Sequence, residues 1–573
     1  MISLRYLAVA PQSVSLLSSA HPTMLEKESA SPKSPSLDEK GVIDTVTVNS
    51  LDGDEALHLV GTARTQQFSE EYNKKLRRKL DMLIPPLCAA VYFSQYLTKR
   101  LSSNTIRAVS WDFQSQATIT ISSLRLSTSA GFLFFEFPTA YISQRLRVAK
   151  YLGVNILIWG VVLCLHAATT NFAAFFILRF LLGMCESCVA PSLILIISMV
   201  CGNPSPDASV KVGMGNSSIR RTNREVLLPA YRCALNFFQA TRISSFYVMN
   251  GITQIFGGFV AYGISYDSGK HIAPYKIVYL LLGLLAILVG ICVLIWMPDS
   301  PVHAKFLTKE ERIAVLERVR DDQGGTANHT IKKDQVIEAL TDIRSWLIVL
   351  STMMTSIPNG ALSNYSNIII KSFGYTSKQT LILSTPGGAV HAGMTLFCGW
   401  YSDKKNERQL PIIFALVPTI IGASILIGLA DSGKKGVLLF GAYLIGTFGS
   451  ALSTIYAYNA SNTSGHSKKS TLNAMTLVSF AVGNIIGTQI FSPKDAPNYK
   501  PGKIAILILL TVQLFISVLL RFVNLYYNKK KKANLEKIKQ DKGWTDDDIQ
   551  RERDKYAFAD LTDKQNPYFV YTA

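Results

Sequence analysis

Long apolar runs recur along most of the sequence, and each has about the length that an α-helix needs to cross a lipid bilayer. A hydrocarbon core about 30 Å thick takes about 20 mostly apolar residues per helix. The clearest runs are 152–168, 172–199, 277–297, 346–370, 412–429, 437–456 and 504–523. Less pure runs, with small and polar residues of the kind that face other helices, are 80–97, 126–141, 246–264, 381–400 and 472–490.

Together these runs predict an all-α membrane protein of roughly twelve spanning helices. The 573 residues are 48% hydrophobic and only 17% charged, which is too apolar for an ordinary soluble chain. An even number of spans puts both termini on one side of the membrane, and Lys and Arg are retained on the cytosolic side. These residues cluster at 74–79, 145–150, 404–408 and 529–532. We therefore expect both termini to be cytosolic.

The charge and cysteine patterns argue against several other classes of protein. The net charge of +19 lies at helix ends and not on one basic face, which disfavours a nucleic-acid partner and favours anionic membrane lipid. Cys185 and Cys188 are one helical turn apart, but two thiolates without further ligands hold no structural zinc. The sequence shows no nucleophile motif or phosphate loop that would support an enzyme. We expect a non-enzymatic protein without metal or cofactor.

A polar, charge-rich stretch divides the predicted spans into two equal groups. Two six-helix bundles joined by a cytosolic linker are typical of the major facilitator fold, in which the solute site lies between the bundles. We therefore predict a twelve-helix facilitator fold. Its predicted segments are a disordered cytosolic tail at 1–74, a first bundle at 75–297, the linker at 298–344, a second bundle at 345–527 and a cytosolic tail at 528–573.

Arg179 and Glu186 lie inside the fourth predicted span, where a charged side chain costs a few kcal/mol. Seven positions separate them, which is about two helical turns, so both lie on one face of the helix. An arginine can clamp a carboxylate substrate through paired hydrogen bonds, and a desolvated glutamate can bind and release a proton. The alternative is an ion-paired strut between helices that never contacts a substrate.

Several amide side chains also lie inside predicted spans. Asn250 and Gln254 belong to the fifth span, Asn359 to the seventh and Asn459 to the tenth. Amides within a helical bundle either bind a polar solute or hold neighbouring helices together by hydrogen bonds. We include these four residues as candidates for substrate or proton binding, and the helix-bridging role remains open for each.

A candidate gating motif follows the eighth predicted span and reads Gly399-Trp-Tyr-Ser-Asp403-Lys404. A glycine lets two helices approach closely, and an aspartate at a helix end with following cations can form a salt-bridged latch. The motif resembles the Gly-x-x-x-Asp-Arg/Lys signature of the major facilitator superfamily. The equivalent loop of the first half, Gln144-Arg145-Leu-Arg147, has no aspartate. The latch is therefore expected on one side only.

Longer motifs resemble the fungal allantoate permease family of anion:cation symporters. They are Arg179-Phe-Leu-Leu-Gly183, Met249-Asn250-Gly251, Pro298-Asp-Ser-Pro301 and Gly483-Asn-Ile-Ile-Gly487. The resemblance implies a plasma-membrane importer that brings in a small organic anion or vitamin together with protons, and we expect this protein to act as a monomer. Allantoate-, nicotinate- and pantothenate-like solutes all belong to that range.

Two stretches depart from the family pattern, at 100–129 and at 200–238. The first has nearly the expected length but a poorly fitting sequence, which a reading-frame error would produce. The second is far longer than the family's short link, as a retained intron or a true insertion would make it. Two alternative functions stay open for these reasons and for the long tails: a transporter-like nutrient sensor, or an inactive transporter disrupted between its first two helices.

Overall fold

The computed structural model describes residues 69–112, 117–169, 171–200, 239–264, 273–300, 303–320, 332–405, 407–430, 432–491, 493–495, 499–556 and 559–572. The described residues form helices and turns, with no β-strand. Most of the predicted N-terminal tail, the centre of the atypical stretch at 113–116 and the predicted loop at 201–238 lie outside them.

Among the described residues, the first half of the chain forms eight helices before the linker. They are α1 (Glu70–Asp112), α2 (Ala117–Arg145), α3 (Val148–Ala168), α4 (Phe172–Glu186), α5 (Val189–Val200), α6 (Gln239–Tyr247), α7 (Met249–Ile264) and α8 (Pro274–Trp296). The pair α4–α5 covers the fourth predicted span, and the pair α6–α7 covers the fifth. The fourth span is thus interrupted directly after Glu186.

The part of the linker that the structure describes contains two short helices, α9 (Lys309–Arg320) and α10 (Lys333–Thr341). The second half then contains α11 (Ile343–Ser372), α12 (Ser377–Leu383), α13 (Thr385–Lys405), α14 (Gln409–Gly428), α15 (Lys435–Ile445), α16 (Phe448–Asn462), α17 (His466–Ile490), α18 (Lys500–Lys542) and α19 (Asp546–Tyr556). The helix α18 continues well past the predicted end of the second bundle at residue 527.

Eight segments of the described chain are long and apolar enough to cross a membrane. They are Val148–Ala168, Phe172–Ile197, Tyr275–Trp296, Ser377–Lys405, Gln409–Gly428, Lys435–Asn462, His466–Ile490 and Lys500–Lys542. The other predicted spans coincide with α1, α2, α6–α7 and α11, whose polar residues lower their hydropathy. The prediction of an all-α membrane fold is confirmed.

Local sequence signals explain several helix ends. The Asn171 side chain accepts a hydrogen bond from the Ala173 amide and caps α4. Thr376 and Gln379 form a capping box at the start of α12, which satisfies two amides that have no partner within the helix. Between α16 and α17, Gly465 has φ 86°, in the left-handed region that glycine adopts without steric cost. These caps permit tight turns between consecutive helices.

Buried apolar residues form separate cores in the two halves. One large cluster extends from Leu76 to Val315 and is joined by a few residues from α16 and α17. A second cluster runs from Ala361 to Leu510. The lipid-facing sides of the helices instead expose large apolar side chains such as Leu288 and Phe515. This distribution is what two helical bundles surrounded by hydrocarbon require.

The linker lies at the same end of the molecule as both ends of the described chain. Lys79, near the start of α1, forms an ion pair of 2.8 Å with Glu311 of α9. Lys332, just before α10, forms one of 2.9 Å with Asp560 in the C-terminal segment. We call this end the terminal face, and the other end the opposite face.

The two bundles approach closely where α7 crosses α13. A Cβ atom added at Gly251 would lie 2.4 Å from the Gly388 carbonyl oxygen, and one added at Gly388 would lie 2.6 Å from that of Gly251. The absence of side chains at both positions lets the two backbones meet.

We expect Gly251→Val to weaken this contact between the bundles. The new side chain has no room against Gly388, and overpacking of this kind costs about 1–3 kcal/mol. The measurement is thermal unfolding of the purified protein in detergent. Gly393→Val is the matched control, since a Cβ at Gly393 of α13 meets nothing within 4 Å. Equal unfolding temperatures for the two variants would contradict the prediction.

Candidate functional site

A cavity of about 270 Å³, with charged and amide side chains in its lining, lies between the two bundles. Its lining comes from α1, α2, α4 and α7 of the first half and from α11, α13, α15 and α17 of the second. The polar and charged lining residues are Tyr96, Thr98, Lys99, Arg100, Thr128, Ser129, Arg179, Glu186, Asn250, Gln254, Asn359, Ser363, Ser366, Ser384, His391, Tyr443, Asn484 and Thr488. A site shared by both bundles can change its exposure when the bundles move.

Glu186 lies at the end of α4 and is only 4% exposed. Its Oε1 atom lies 2.8 Å from Lys99 Nζ and accepts a hydrogen bond of 3.0 Å from Gln95 Nε2. Both partners belong to α1, so the carboxylate bridges α4 and α1 while it lines the cavity. Glu186 is therefore an ion-paired strut between two helices and also a cavity residue, two positions that the sequence left as alternatives.

Arg179 lines the cavity from one side of α4 and lies among aromatic rings. Its guanidinium donates a hydrogen bond to the Tyr279 hydroxyl of α8. The guanidinium carbon lies 5.2 Å from the centre of the Phe175 ring and 5.4 Å from that of Tyr279. His166 of α3 stacks on the same Tyr279 ring at 5.1 Å. These contacts hold the arginine by a hydrogen bond, cation–π attraction and packing.

Gln254 of α7 connects the two bundles across the cavity. Its Oε1 accepts a hydrogen bond of 2.8 Å from Arg100, and its Nε2 donates one of 2.8 Å to the Ser384 carbonyl. Asn250, one helical turn earlier, also lines the cavity. A solute in the cavity would therefore meet amides as well as charges.

The remaining two amides have different positions. Asn359 lines the cavity and donates a hydrogen bond of 2.9 Å to Asn484 of α17. Asn459 does not belong to the cavity lining: it is 1% exposed and donates to Asn473 at 2.8 Å. Its carbonyl oxygen accepts a hydrogen bond from Thr463. The structure thus gives Asn459 the helix-bridging role, because both its polar groups are occupied within the second bundle.

The Asp403 carboxylate joins the bundles at the terminal face. It lies near the end of α13 and accepts hydrogen bonds from the backbone amides of Ala240 and Thr241, at 3.1 and 2.7 Å. These amides belong to the first turn of α6, where the helix dipole favours a negative charge. Gly399, one turn before Asp403, packs against Ser244, since an added Cβ would lie 2.5 Å from its Oγ.

The cation that pairs with Asp403 is Arg408, and this corrects the expectation of Lys404. Arg408 Nη1 lies 2.9 Å from Asp403 Oδ1, and both side chains are almost fully buried. Lys404 instead lies over the Trp400 ring, with its ammonium 4.5 Å from the ring centre. The reason is helical geometry. The residue after Asp403 points to another face of α13, whereas Arg408 lies just before α14 and its side chain reaches back to Asp403. The contact set of Asp403 and Arg408 is called the gate below.

Sequence reasoning missed two cations of the cavity, Lys99 and Arg100. Both follow the first predicted apolar run and open the stretch that departs from the family pattern. The helix α1 continues through them, and this places them between the bundles. The available signal was their position two and three residues after Leu97, about one helical turn beyond residues that face other helices. His391 of α13 also lines the cavity.

Comparison with known proteins now adds to this geometry. The Major Facilitator Superfamily model matches residues 237–488. The allantoate permease of Saccharomyces cerevisiae is 34% identical over 537 residues, which cover 91% of this chain and 90% of the relative. The chain belongs to the allantoate permease family of the major facilitator superfamily. The resemblance inferred from Arg179-Phe-Leu-Leu-Gly183 and the other motifs is therefore confirmed.

Other members and one solved structure support the same assignment. A thiamine pathway transporter of Saccharomyces cerevisiae, THI73, is 30% identical and covers 88% of this chain and 87% of the relative. The proton:xylose symporter XylE, solved with 6-bromo-6-deoxy-D-glucose, superposes with a TM-score of 0.59 at 13% identity, over 76% of this chain and 94% of that one. At this identity the superposition shows the facilitator fold alone. This family member is a membrane transporter homologue and not an enzyme.

Proposed function

We propose that this protein imports a small organic anion together with protons by alternating access. The observation that carries the proposal is the charge of the cavity. Among the described lining residues, Lys99, Arg100 and Arg179 are cations, and Glu186 is the carboxylate. An anion would offset the excess positive charge that the cavity otherwise holds away from bulk water.

Lys99 and Arg179 are the groups best placed to bind the anion. The Lys99 side chain is 41% exposed and reaches the cavity, while the Arg179 guanidinium is held by Tyr279. A planar guanidinium can donate two parallel hydrogen bonds to a carboxylate, and an ammonium adds a point charge. Amides such as Asn250 and Asn359 would bind the polar remainder of the solute. This set fits carboxylates of allantoate-, nicotinate- or pantothenate-like size.

Proton coupling follows from competition for Lys99. When a substrate carboxylate binds the Lys99 ammonium, Glu186 loses its ion pair and remains almost buried. A buried carboxylate without a cation favours the protonated form. Substrate binding would therefore promote proton uptake at Glu186, and the loaded site, with the same net charge as the empty one, could cross to the other side. Release of the anion would let the ion pair form again and expel the proton.

We assign the terminal face to the cytosolic side of the plasma membrane. The cavity would then carry the solute inward across that membrane. The support is the density of Lys and Arg at this face, which insertion retains on the cytosolic side. Lys529, Lys530 and Lys532, which are exposed, would lie beside anionic lipid of the inner leaflet. The proposed transporting unit is the monomer, because the cavity is built from residues of one chain.

The direct test is uptake by this protein reconstituted in liposomes with an inward proton gradient. A panel of radiolabelled organic anions would include allantoate, nicotinate and pantothenate, with a neutral sugar as the control. We expect accumulation of at least one anion that collapses when a protonophore is added. Binding without accumulation would indicate a receptor instead, and the absence of both binding and accumulation across the panel would overturn the proposal.

Lys99→Met is expected to lower the apparent affinity for the anion at least about tenfold, which corresponds to about 1.4 kcal/mol. Methionine keeps the length of the side chain but removes the charge that pairs with Glu186 and attracts the anion. The measurement is the substrate concentration at half-maximal uptake. Lys309→Met, at the exposed start of α9, is the matched control. Unchanged affinity in the Lys99 variant would exclude the residue from the site.

A further inference from the structure

The C-terminal residues 559–572, which we call the C-terminal strap, return to the terminal face and are buried there. Thr562 and Asp563 are fully buried, and Tyr568, Phe569 and Tyr571 are each no more than 6% exposed. Terminal segments are usually poorly ordered unless specific contacts hold them. The burial of the strap therefore requires an explanation, whereas a solvated cytosolic tail would need none.

Charge complementarity is the first part of that explanation. Asp563 lies 2.9 Å from Arg344 at the start of α11 and 2.7 Å from Lys468 of α17. Burial alone would raise the pKa of Asp563, but the charges of Lys468 and Arg344 hold the pKa below its usual value. Asp560 pairs with Lys332 of the linker and accepts a hydrogen bond of 2.7 Å from the His466 amide. Two acids of the strap thus meet cations that come from distant parts of the chain.

The main chain of the strap is also bound, by two asparagine side chains. Asn528 of α18 accepts from the Tyr571 amide at 2.9 Å and donates to the Tyr571 carbonyl at 2.7 Å. Asn462 of α16 accepts from the Thr572 amide at 2.7 Å and donates to the Thr572 hydroxyl at 2.9 Å. Such paired contacts are how binding sites hold an extended peptide by its backbone.

An aromatic contact completes the site. The Arg344 guanidinium carbon lies 3.9 Å from the centre of the Tyr571 ring. The Tyr571 hydroxyl donates a hydrogen bond of 3.0 Å to the same Asp563 carboxylate that pairs with Arg344. Ring, acid and arginine therefore support one another, and the loss of any member would leave the others incompletely paired.

We propose that the terminal face of the second bundle is a binding site for an acidic, aromatic peptide, and that the ligand is this chain's own strap. The site has the features of a peptide groove: cations for two acids, amides for the backbone and an arginine for a tyrosine ring. Because the strap is tethered through α18 and α19, its effective concentration at the site is high.

The occupied site supports the gate. Asn462, which binds Thr572, follows Ser461, whose hydroxyl lies 3.4 Å from Arg408 Nε. Arg408 in turn pairs with Asp403, which caps α6 of the other bundle. The strap thus fixes the end of α16 that positions the gate arginine. This consequence rests on the proposed transport function, whereas binding of the strap does not.

Amide hydrogen exchange of the full-length protein in detergent tests the binding directly. The amides of Tyr571 and Thr572 should exchange at least about 100-fold more slowly than in the free peptide, since their protection requires local opening of the site. Asp563→Asn should remove most of this protection. Asp546→Asn is the matched control, because its side chain is 76% exposed and pairs with Lys539 at the surface, away from the strap. Full exchange of the strap in the unaltered protein at the first time point would overturn the proposal.

A second experiment separates binding from transport. A protease recognition sequence inserted between Tyr556 and residue 559 allows the strap to be cut from the folded, purified protein. The cut strap should stay with the membrane part during size-exclusion chromatography, and the Asp563→Asn strap should be lost. Release of the unaltered strap would refute the site. Retention together with unchanged uptake in the Asp563→Asn protein would uphold the site and refute its support of the gate.

Discussion

Glu186→Gln is expected to abolish net proton-driven uptake while the amount of protein in the membrane stays unchanged. Glutamine has the shape of a protonated glutamate and can keep a hydrogen bond with Gln95, but it cannot release a proton. Net uptake requires that release in each cycle. Exchange of internal for external substrate does not, because the loaded site can cross in both directions. We therefore expect exchange to persist when net uptake has fallen to background.

The measurement compares uptake under an inward proton gradient with exchange at equal pH, in liposomes that contain equal amounts of protein. Glu310→Gln, in the exposed first turn of α9, is the matched control and should behave as the unaltered protein does. Loss of both uptake and exchange would assign Glu186 a structural role as a strut to Lys99. Normal pH-dependent uptake would exclude proton coupling through this residue.

Asp403→Asn is expected to lower uptake at least about tenfold and to open the terminal face. The carboxylate accepts two backbone hydrogen bonds from α6 and pairs with Arg408. Hydrogen bonds to a charged group contribute about 1.5–3 kcal/mol each, and removal of one partner of a buried ion pair costs about 3–5 kcal/mol. The closed arrangement of the gate should therefore lose most of its stabilisation.

Thiol labelling reports on this opening. A Ser244→Cys reporter, which is 2% exposed beside Gly399, should react faster in the Asp403→Asn background when labelling is read by peptide mass spectrometry. Asp334→Asn, an exposed acid in the first turn of α10, is the matched control.

A double variant separates the loss of the gate contact from the destabilisation that an unpaired, buried Arg408 would cause. Asp403→Asn with Arg408→Met removes the buried unpaired charge, so thermal stability should return while uptake stays low. Recovery of uptake would show that the gate charge itself is dispensable.

The sequence was sufficient for the fold because the bilayer makes hydropathy a direct measure of structure. Every backbone polar group inside hydrocarbon must be bonded within its own helix, so an apolar run of bilayer length becomes a helix. The cost of a charge inside hydrocarbon also singled out Arg179 and Glu186, since charged side chains are rare in spans unless they have a specific role. Both residues line the cavity between the bundles.

Amides and end-of-span cations were harder to assign. Asn359 and Asn459 have the same chemistry and a similar position within a span, yet one lines the cavity and the other bridges helices. Only the packing of neighbouring helices distinguishes them. Lys99 and Arg100 follow an apolar run, where a cation can equally mark the end of a span or extend into the protein interior.

The sequence by itself determined that this chain is an all-α facilitator of the allantoate permease family, with charges in its fourth span and an aspartate latch. Tertiary structure decided which groups meet: Lys99 with Glu186, Arg408 in place of Lys404 at Asp403, and the strap with the second bundle. The physical reason is distance along the chain. Hydropathy is a local property, whereas Arg344 and Asp563 are 219 positions apart and meet only because the whole bundle folds around them.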